Sequence, residues 1–441
     1  MPAALAALVA AAPGSLVLPP GDRRAHVVVP EPLRLLGSRG LGEGRHVAVV
    51  EDADGGRWTV PVVVDGDLVR RAAPGDGVAE ALVEAIPRLV QEPFTTELWH
   101  TEPAQGERGL AVDQTNESVV VGERAMLKWA VHLPRSGVVG AQPAAARIAT
   151  LAAFPETPQP WGLLGWRDAG TGVSAMLASV TAYLPGAQDG WDWAVDDVRR
   201  AACHEGLLDD ALEGPKRLGA LTARMHVALA GEGVRYASEA TARAWHERAL
   251  ADLDEAARLV TGEPGARLRA LAPRIAVGYD ALRDCAGTPL IGVHGDYHVG
   301  QVLRSPSDDP ALRWEYAVTD FDGNPVLAPE ERSAPQPAAF DVAGMLASLD
   351  HVGRVVDERV EGADAGIVRT WIAAAQECFR YEYVDTLARL RQRDLLDERL
   401  LVPLRLQQEV REHLYAVRHL PHWVYVPDAA LADLLPDALM A

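Results

Sequence analysis

Cysteine is scarce: Cys203, Cys285 and Cys378 are the only three in 441 residues, each more than 80 positions from the next. That spacing excludes a zinc cluster or a disulfide framework and points to a reducing, cytoplasmic setting. Basic charge is also short, with 42 Lys plus Arg against 62 Asp plus Glu and a formal net charge of −20. Such a balance counts against a nucleic acid or an anionic membrane as the main partner. No apolar run reaches the roughly 18 residues that a membrane span needs. Met1 to Ala12 (MPAALAALVAAA) lacks the Lys or Arg that precedes a signal h-region, so it reads as the first helix or strand of a domain. Glycine-rich G-x-G-x-x-G runs, internal repeats and low-complexity tracts are missing as well.

What remains is ordinary globular composition, 48% apolar and 24% charged, long enough for about three folding units. Residues 1–100 alternate β-branched runs with turns. His26 to Val29, His46 to Val50 and Trp58 to Val64 read as strands, and Asp52 to Gly56 and Asp65 to Asp67 as hairpin turns. Ala79 to Ile86 has helical spacing and is stopped by Pro87. Residues 101–184 hold a hairpin (Glu117 to Val121, then Ala125 to Val131), a helix over Ala141 to Phe154, and strands at Gly162 to Trp166 and Ala175 to Tyr183. Residues 185–441 are mainly helical, with 3.6-residue periodicity over Lys216 to Ala230, Ala242 to Val260, Gly366 to Leu390 and Leu404 to His419. Short strands interrupt them at Pro289 to Val293, Gln301 to Arg304 and Trp314 to Thr319.

The strongest chemical signal is V-H-G-D-Y-H-V-G-Q at Val293 to Gln301, followed by T-D-F-D-G-N-P at Thr319 to Pro325. Phosphoryl transfer needs a carboxylate to orient the accepting hydroxyl and take its proton, and oxygen ligands to hold magnesium against the phosphates. Asp296, on a glycine-supported bend after a strand, suits the first task. Gln301, at the start of the next strand, and Asp320, at the end of the strand that returns beside it, suit the second.

These motifs resemble those of the aminoglycoside-phosphotransferase-like kinases, whose catalytic loop usually reads H-G-D-x-x-x-x-N; Gln301 stands where they carry Asn. Within that group, H-G-D-x-H-x-G-Q-V-L with D-F-[DE]-G resembles the actinobacterial maltokinases. Leu218 to His226 (LGALTARMH) and Phe340 to Ser348 (FDVAGMLAS) match further, with Asp341 expected to brace the catalytic loop. The resemblance implies an α+β, bilobal protein-kinase-like fold: residues 1–100 a β-rich cap, 101–184 an N-lobe, and 185–441 a helical C-lobe. It also implies ATP and Mg2+ as cofactors. Lys128, mid-strand in A-M-L-K-W, is the expected phosphate lysine. Kinases pair this lysine with a helix glutamate, yet Ala146 occupies that place here. Asn116 to Gly122 would cover the phosphates through backbone N–H groups and Ser118, and the adenine would meet backbone around Val180 to Tyr183, at Val180 and Ala182.

An acceptor site is expected on the helix over Leu404 to His419, where Gln408, Glu412, Tyr415 and His419 share a face flanked by Gln407 and Arg411. Trp423 follows just beyond. Acids and amides bind sugar hydroxyls and an aromatic face binds their C–H surface. Two details lean away from maltose: the metal loop reads D-F-D-G-N-P rather than D-F-E-G-E-P, and Ala416 stands where maltokinases carry an acid. The pattern is closer to actinobacterial glucosamine kinases, whose cationic substrate could meet Asp322, Glu412 or Asp428. ATP-dependent phosphorylation of glucosamine at its 6-hydroxyl is the expectation. A maltokinase, an aminoglycoside phosphotransferase and a regulatory pseudokinase are the alternatives.

Overall fold

The computed structural model describes residues 2–19, 28–89, 92–110, 117–133, 143–324, 332 and 334–435. The chain divides into two compact units, Met1–Gly186 with Pro325–Ser333, and Ala187–Asn324 with Ala334–Ala441.

The first unit carries two antiparallel sheets. One contains β1 (Arg34–Gly42), β2 (Arg45–Glu51), β3 (Arg57–Asp65) and β4 (Leu68–Arg71) in that order. The β2–β3 turn forms at Asp52, whose carboxylate accepts the Gly56 N–H at 2.7 Å and the Trp58 indole N–H at 2.9 Å. Strand β2 is buried on both faces: Val47 and Val49 join one core, Ala48 and Val50 another under α1 (Pro2–Ala10). Leu5 and Val9 of α1 pack into that second core, so the N-terminal apolar run is a domain helix, as expected.

The His26 to Val29 expectation fails in its described part: Val28 and Val29 lie outside any strand, and Val28 is exposed. The first strand is instead the glycine-bearing β1, held by pairing with β2 through two register shifts.

Helix α2 (Val78–Ala85) stops before Pro87. The second sheet runs β5 (Phe94–Leu98), β10 (Pro160–Arg167), β11 (Ser174–Ala182), β8 (Ala125–Trp129), β7 (Glu117–Val121), β6 (Glu107–Gly109) across its width. Strand β9 (His132–Leu133) pairs with β3, and α3 (Pro143–Thr150) precedes β10. Thus β5 comes from the first hundred residues but sits in the second sheet, while β9 crosses the other way. The carboxylate of Glu107 in β6 accepts N–H groups of Gly75 and Gly77 ahead of α2 at 2.9 and 2.6 Å.

The second unit is mainly helical: α4 (Gly190–Ala202), α5 (Leu208–Ala211), α6 (Glu213–Ala230), α7 (Glu239–Leu259), α8 (Gly262–Gly278), α9 (Asp280–Arg283), α10 (Ala339–Arg359), α11 (Ala365–Arg389), α12 (Leu401–His419) and α13 (Tyr425–Leu434). Two short pairs interrupt it, β12 (Arg235–Tyr236) with β13 (Pro289–Leu290), and the hairpin β14 (Val302–Pro306) with β15 (Trp314–Val318). Arg304 fixes the hairpin to α4. Its guanidinium stacks on Trp193 and Trp314 and reaches Asp197 at 2.5 Å. Among the described residues no helix is long and apolar enough to cross a membrane.

Candidate active site

The loop 291–301 runs from β13 to β14, and helix α10 pins it. Asp341, 1% exposed, accepts the His294 N–H at 2.7 Å and the Gly295 N–H at 2.9 Å, one on each carboxylate oxygen. His226 of α6 stands 3.1 Å from the same carboxylate and is itself held by Tyr383 at 2.7 Å. Burial works against the Asp341 charge, but the His226 contact, the nearby His294 ring and the Gly295 N–H together hold its carboxyl below the usual range. Asp341 therefore braces the loop, as the resemblance implied. Two turns of α10 further along, Ser348 accepts the Val299 N–H at 3.0 Å.

His294 couples the loop to the returning strand. Its Nε2 donates to the Thr319 carbonyl at 2.8 Å, while its Nδ1 accepts the Asp296 N–H at 3.3 Å. Gly295 has φ 87°, and a Cβ there would come within 3.3 Å of the Gly323 Cα. The backbones flanking Asp296 and Asp322 are thus in close approach. Thr319 donates its N–H to the Gln301 carbonyl at 2.9 Å, which sets Asp320, in a left-handed φ of 64°, beside Gln301. Asp296 and Gln301 are half-buried, and Asp320 is exposed.

Among the described residues, no group of three His, Cys, Asp or Glu side chains is arranged to hold a metal. Magnesium does not need such a cage. It takes one or two protein oxygens and completes its shell with phosphate and water, so the amide of Gln301 and the carboxylate of Asp320 suit it. The amide nitrogen of Gln301 lies 3.4 Å from His298 Nε2. Burial drives that imidazole down to about 4, so no cation competes there at neutral pH.

The acceptor residues lie on α12 and just past it. Gln408 donates to Glu412 at 3.0 Å, and the Trp423 side chain donates to the same carboxylate. Burial raises the Glu412 carboxyl against those two donors and the nearby His351. Trp423 meets Trp191 of α4 edge to face at 6.0 Å, and Trp191 meets His298 at 6.5 Å. Gln408, Glu412 and Trp423 are thereby brought together, and Trp191 joins them to the catalytic loop.

The other residues expected on this face go elsewhere. Asp428 is removed from the cluster because Arg267 of α8 engages both its oxygens, from Nε at 3.0 and 3.1 Å. A carboxylate already filled by a guanidinium is not open to an ammonium group. Tyr415 is exposed and packs on His419 at 5.2 Å; Arg411 binds Asp252 at 3.0 Å; Gln407 is buried.

In the first unit, Lys128 pairs in register with Ser118 on one side and Ser179 on the other. The three share one face, opposite the core-facing Leu127 and Trp129. The Val180 side chain is in the core, and the N–H of Ala182 is committed to the Gln159 carbonyl at 2.7 Å. An adenine contact at Ala182 must then use its carbonyl. Beside Ala146 in α3, Arg147 is buried and donates to the Arg332 carbonyl at 3.1 Å. Asn116 lies outside the described residues.

Trp191, His351 and Glu409 were not singled out by sequence. The W-D-W run after Asp189 is the signal that could have drawn attention to Trp191.

No family model matches the chain. It is 58% identical to the glucosamine kinase of Streptacidiphilus jiangxiensis, covering 98% of each chain. It is 43% identical to the glucosamine kinase of Mycolicibacterium smegmatis, covering 90% of this chain and 97% of the relative. A solved glucosamine kinase in complex with glucosamine, ADP and inorganic phosphate is 56% identical, with a TM-score of 0.85 over 98% of this chain and 99% of the other.

Proposed function

This chain belongs to the glucosamine kinase family, and on that premise we propose that it transfers the γ-phosphoryl group of ATP to the 6-hydroxyl of glucosamine. The observation that carries this reading is the half-buried Glu412, held between Gln408 and Trp423 and reached from the catalytic loop through Trp191. A carboxylate that accepts from two donors retains acceptor capacity for an ammonium group. In a pyranose, the carbon bearing the amine lies across the ring from the carbon bearing the 6-hydroxymethyl. An amine held at Glu412 therefore turns the primary hydroxyl to the opposite end of the sugar.

Asp296 orients that hydroxyl and takes its proton as the oxygen attacks phosphorus. Gln301 and Asp320 would hold Mg2+, which when bound neutralises charge on the transferring phosphate. Lys128 and Ser118 contact the phosphates, and backbone at Val180 and Ala182 contacts the adenine. Trp423 offers its face to the sugar's C–H surface, and Asp322 lies at the reacting end. The setting is cytoplasmic, in keeping with three free thiols, with neither nucleic acid nor membrane as partner.

The test is a kinase assay with Mg2+, ATP and a sugar panel, the product identified by phosphorus–proton NMR. Glucosamine 6-phosphate is expected, and Asp296→Asn should lower kcat by about 10²-fold or more while calorimetry still detects sugar and nucleotide binding. Phosphate on the anomeric oxygen, or a higher kcat/KM for maltose, overturns the reading.

A further inference from the structure

Beyond Asp341, helix α10 also buries Asp350 and His351. His351 Nε2 lies 3.0 Å from Glu409 Oε2 of α12, with side-chain exposures of 5% and 0%. The His351 ring stands edge-on to Trp423 at 6.2 Å, so the pair sits directly behind the indole that donates to Glu412. Burying an ion pair is seldom a net gain over apolar packing, so this one stabilises the fold less than its contacts suggest. Its placement points to a use at the acceptor site.

We propose that the His351–Glu409 pair is the positioning element that makes the acceptor site prefer an amino sugar to its neutral counterpart. The proposal rests on Glu412 as the carboxylate that meets the amine. Only an ionised Glu412 distinguishes ammonium from hydroxyl by charge. Burial pushes Glu412 toward its protonated form, and the His351 imidazolium opposes that push.

His351 can serve because it keeps its own proton. Burial alone would discharge it, but Glu409, Glu412 and Asp350 raise it to about 9. The other charged or titratable groups around it do not replace it. Arg354 on the same helix is held by Asp350 and by Asp433 of α13. On α12, His413 is driven down by burial, while Arg405 keeps its charge but is set toward Glu409 and Asp350, and Arg359 of α10 lies over the Trp423 ring at 5.8 Å. His298, from the catalytic loop, is neutral.

The experiment uses the full chain with His351→Gln, which keeps a donor for Glu409 but carries no charge. Glu409→Gln, which lets His351 discharge, is the second variant. Values of kcat/KM for glucosamine and glucose are measured from pH 6 to 8.5, and each variant is divided by wild type at the same pH, which removes the sugar's own titration. Both variants should lose about tenfold more toward glucosamine than toward glucose near pH 6.5, through KM, with the deficit shrinking as pH rises and Glu412 ionises. An equal loss for both sugars, or a deficit independent of pH, overturns the proposal. Glu412→Gln separates the two layers. If it leaves the preference intact, the reading of Glu412 fails; if it abolishes the preference while both pair variants keep it, only the role of the pair fails.

Discussion

Asp341 holds Gly295 by its backbone N–H at 2.9 Å, one residue before Asp296. The carboxylate proposed as the base is thus placed by a side chain buried behind the loop. In Asp341→Asn one of the two loop N–H groups must face an amide NH2, and His226 loses its anionic partner. The variant should lose about 3 kcal/mol in urea unfolding. It should also lose tenfold or more in kcat with little change in sugar KM, because a slightly displaced base costs rate rather than binding.

Gly190 opens α4 against the loop that bears His298 and Gln301. A Cβ at this position would run into the Val299 carbonyl oxygen. Gly190→Ala should therefore destabilise the protein by about 1–3 kcal/mol and lower kcat, since the strain falls between the acceptor wall and the catalytic loop. A melting temperature equal to wild type would show that the contact yields.

Lys128 and Lys216 are the only lysines in the chain, against forty arginines. The Lys128 ammonium is a compact point charge rather than a planar fork. Lys128→Ala should raise the KM for ATP by about tenfold or more, and Lys128→Arg should restore little of it. Initial rates over an ATP series decide this.

Stability should fall on the alkaline side. The His351 pKa is raised from 6.5 to about 9 in the folded protein. Its contribution is therefore complete below pH 6.5 and lost as pH rises through 9, the loss amounting to roughly 3 kcal/mol at most. Wild type should lose stability over this interval and His351→Gln should lose less, read as melting temperature against pH.

The loops bearing Asp296 and Asp320 were legible because each is contiguous in sequence and the strand pairing that joins them is a short hairpin. Thr319 donating to Gln301 is what the spacing already required. The hairpins at Asp52 and Asp65 were legible for the same reason, since turn chemistry is local. Helix α4 was harder: its N-terminal W-D-W mixes charge with aromatics, and only the packing of Trp193 under the Val302 carbonyl explains the inward tryptophan. Asp428 shows the limit from the other side. It lies close in sequence to Trp423, but its partner Arg267 is 161 residues away. Ala416 is fully buried, so an acid in its place would need a buried partner such as His351 gives Glu409.

The strand exchange in the first unit bears on how this chain could be cut or recombined. A break at residue 100 would strip β10 of its outer neighbour β5 and leave β3 without β9. It would also part Glu107 from the amides of Gly75 and Gly77. Each fragment would expose an unsatisfied sheet margin, the kind of surface that recruits other chains. The first hundred residues are therefore no detachable module, and a chimera that grafts them onto another kinase would have to carry the rest of their compact unit, residues 1–186 with 325–333.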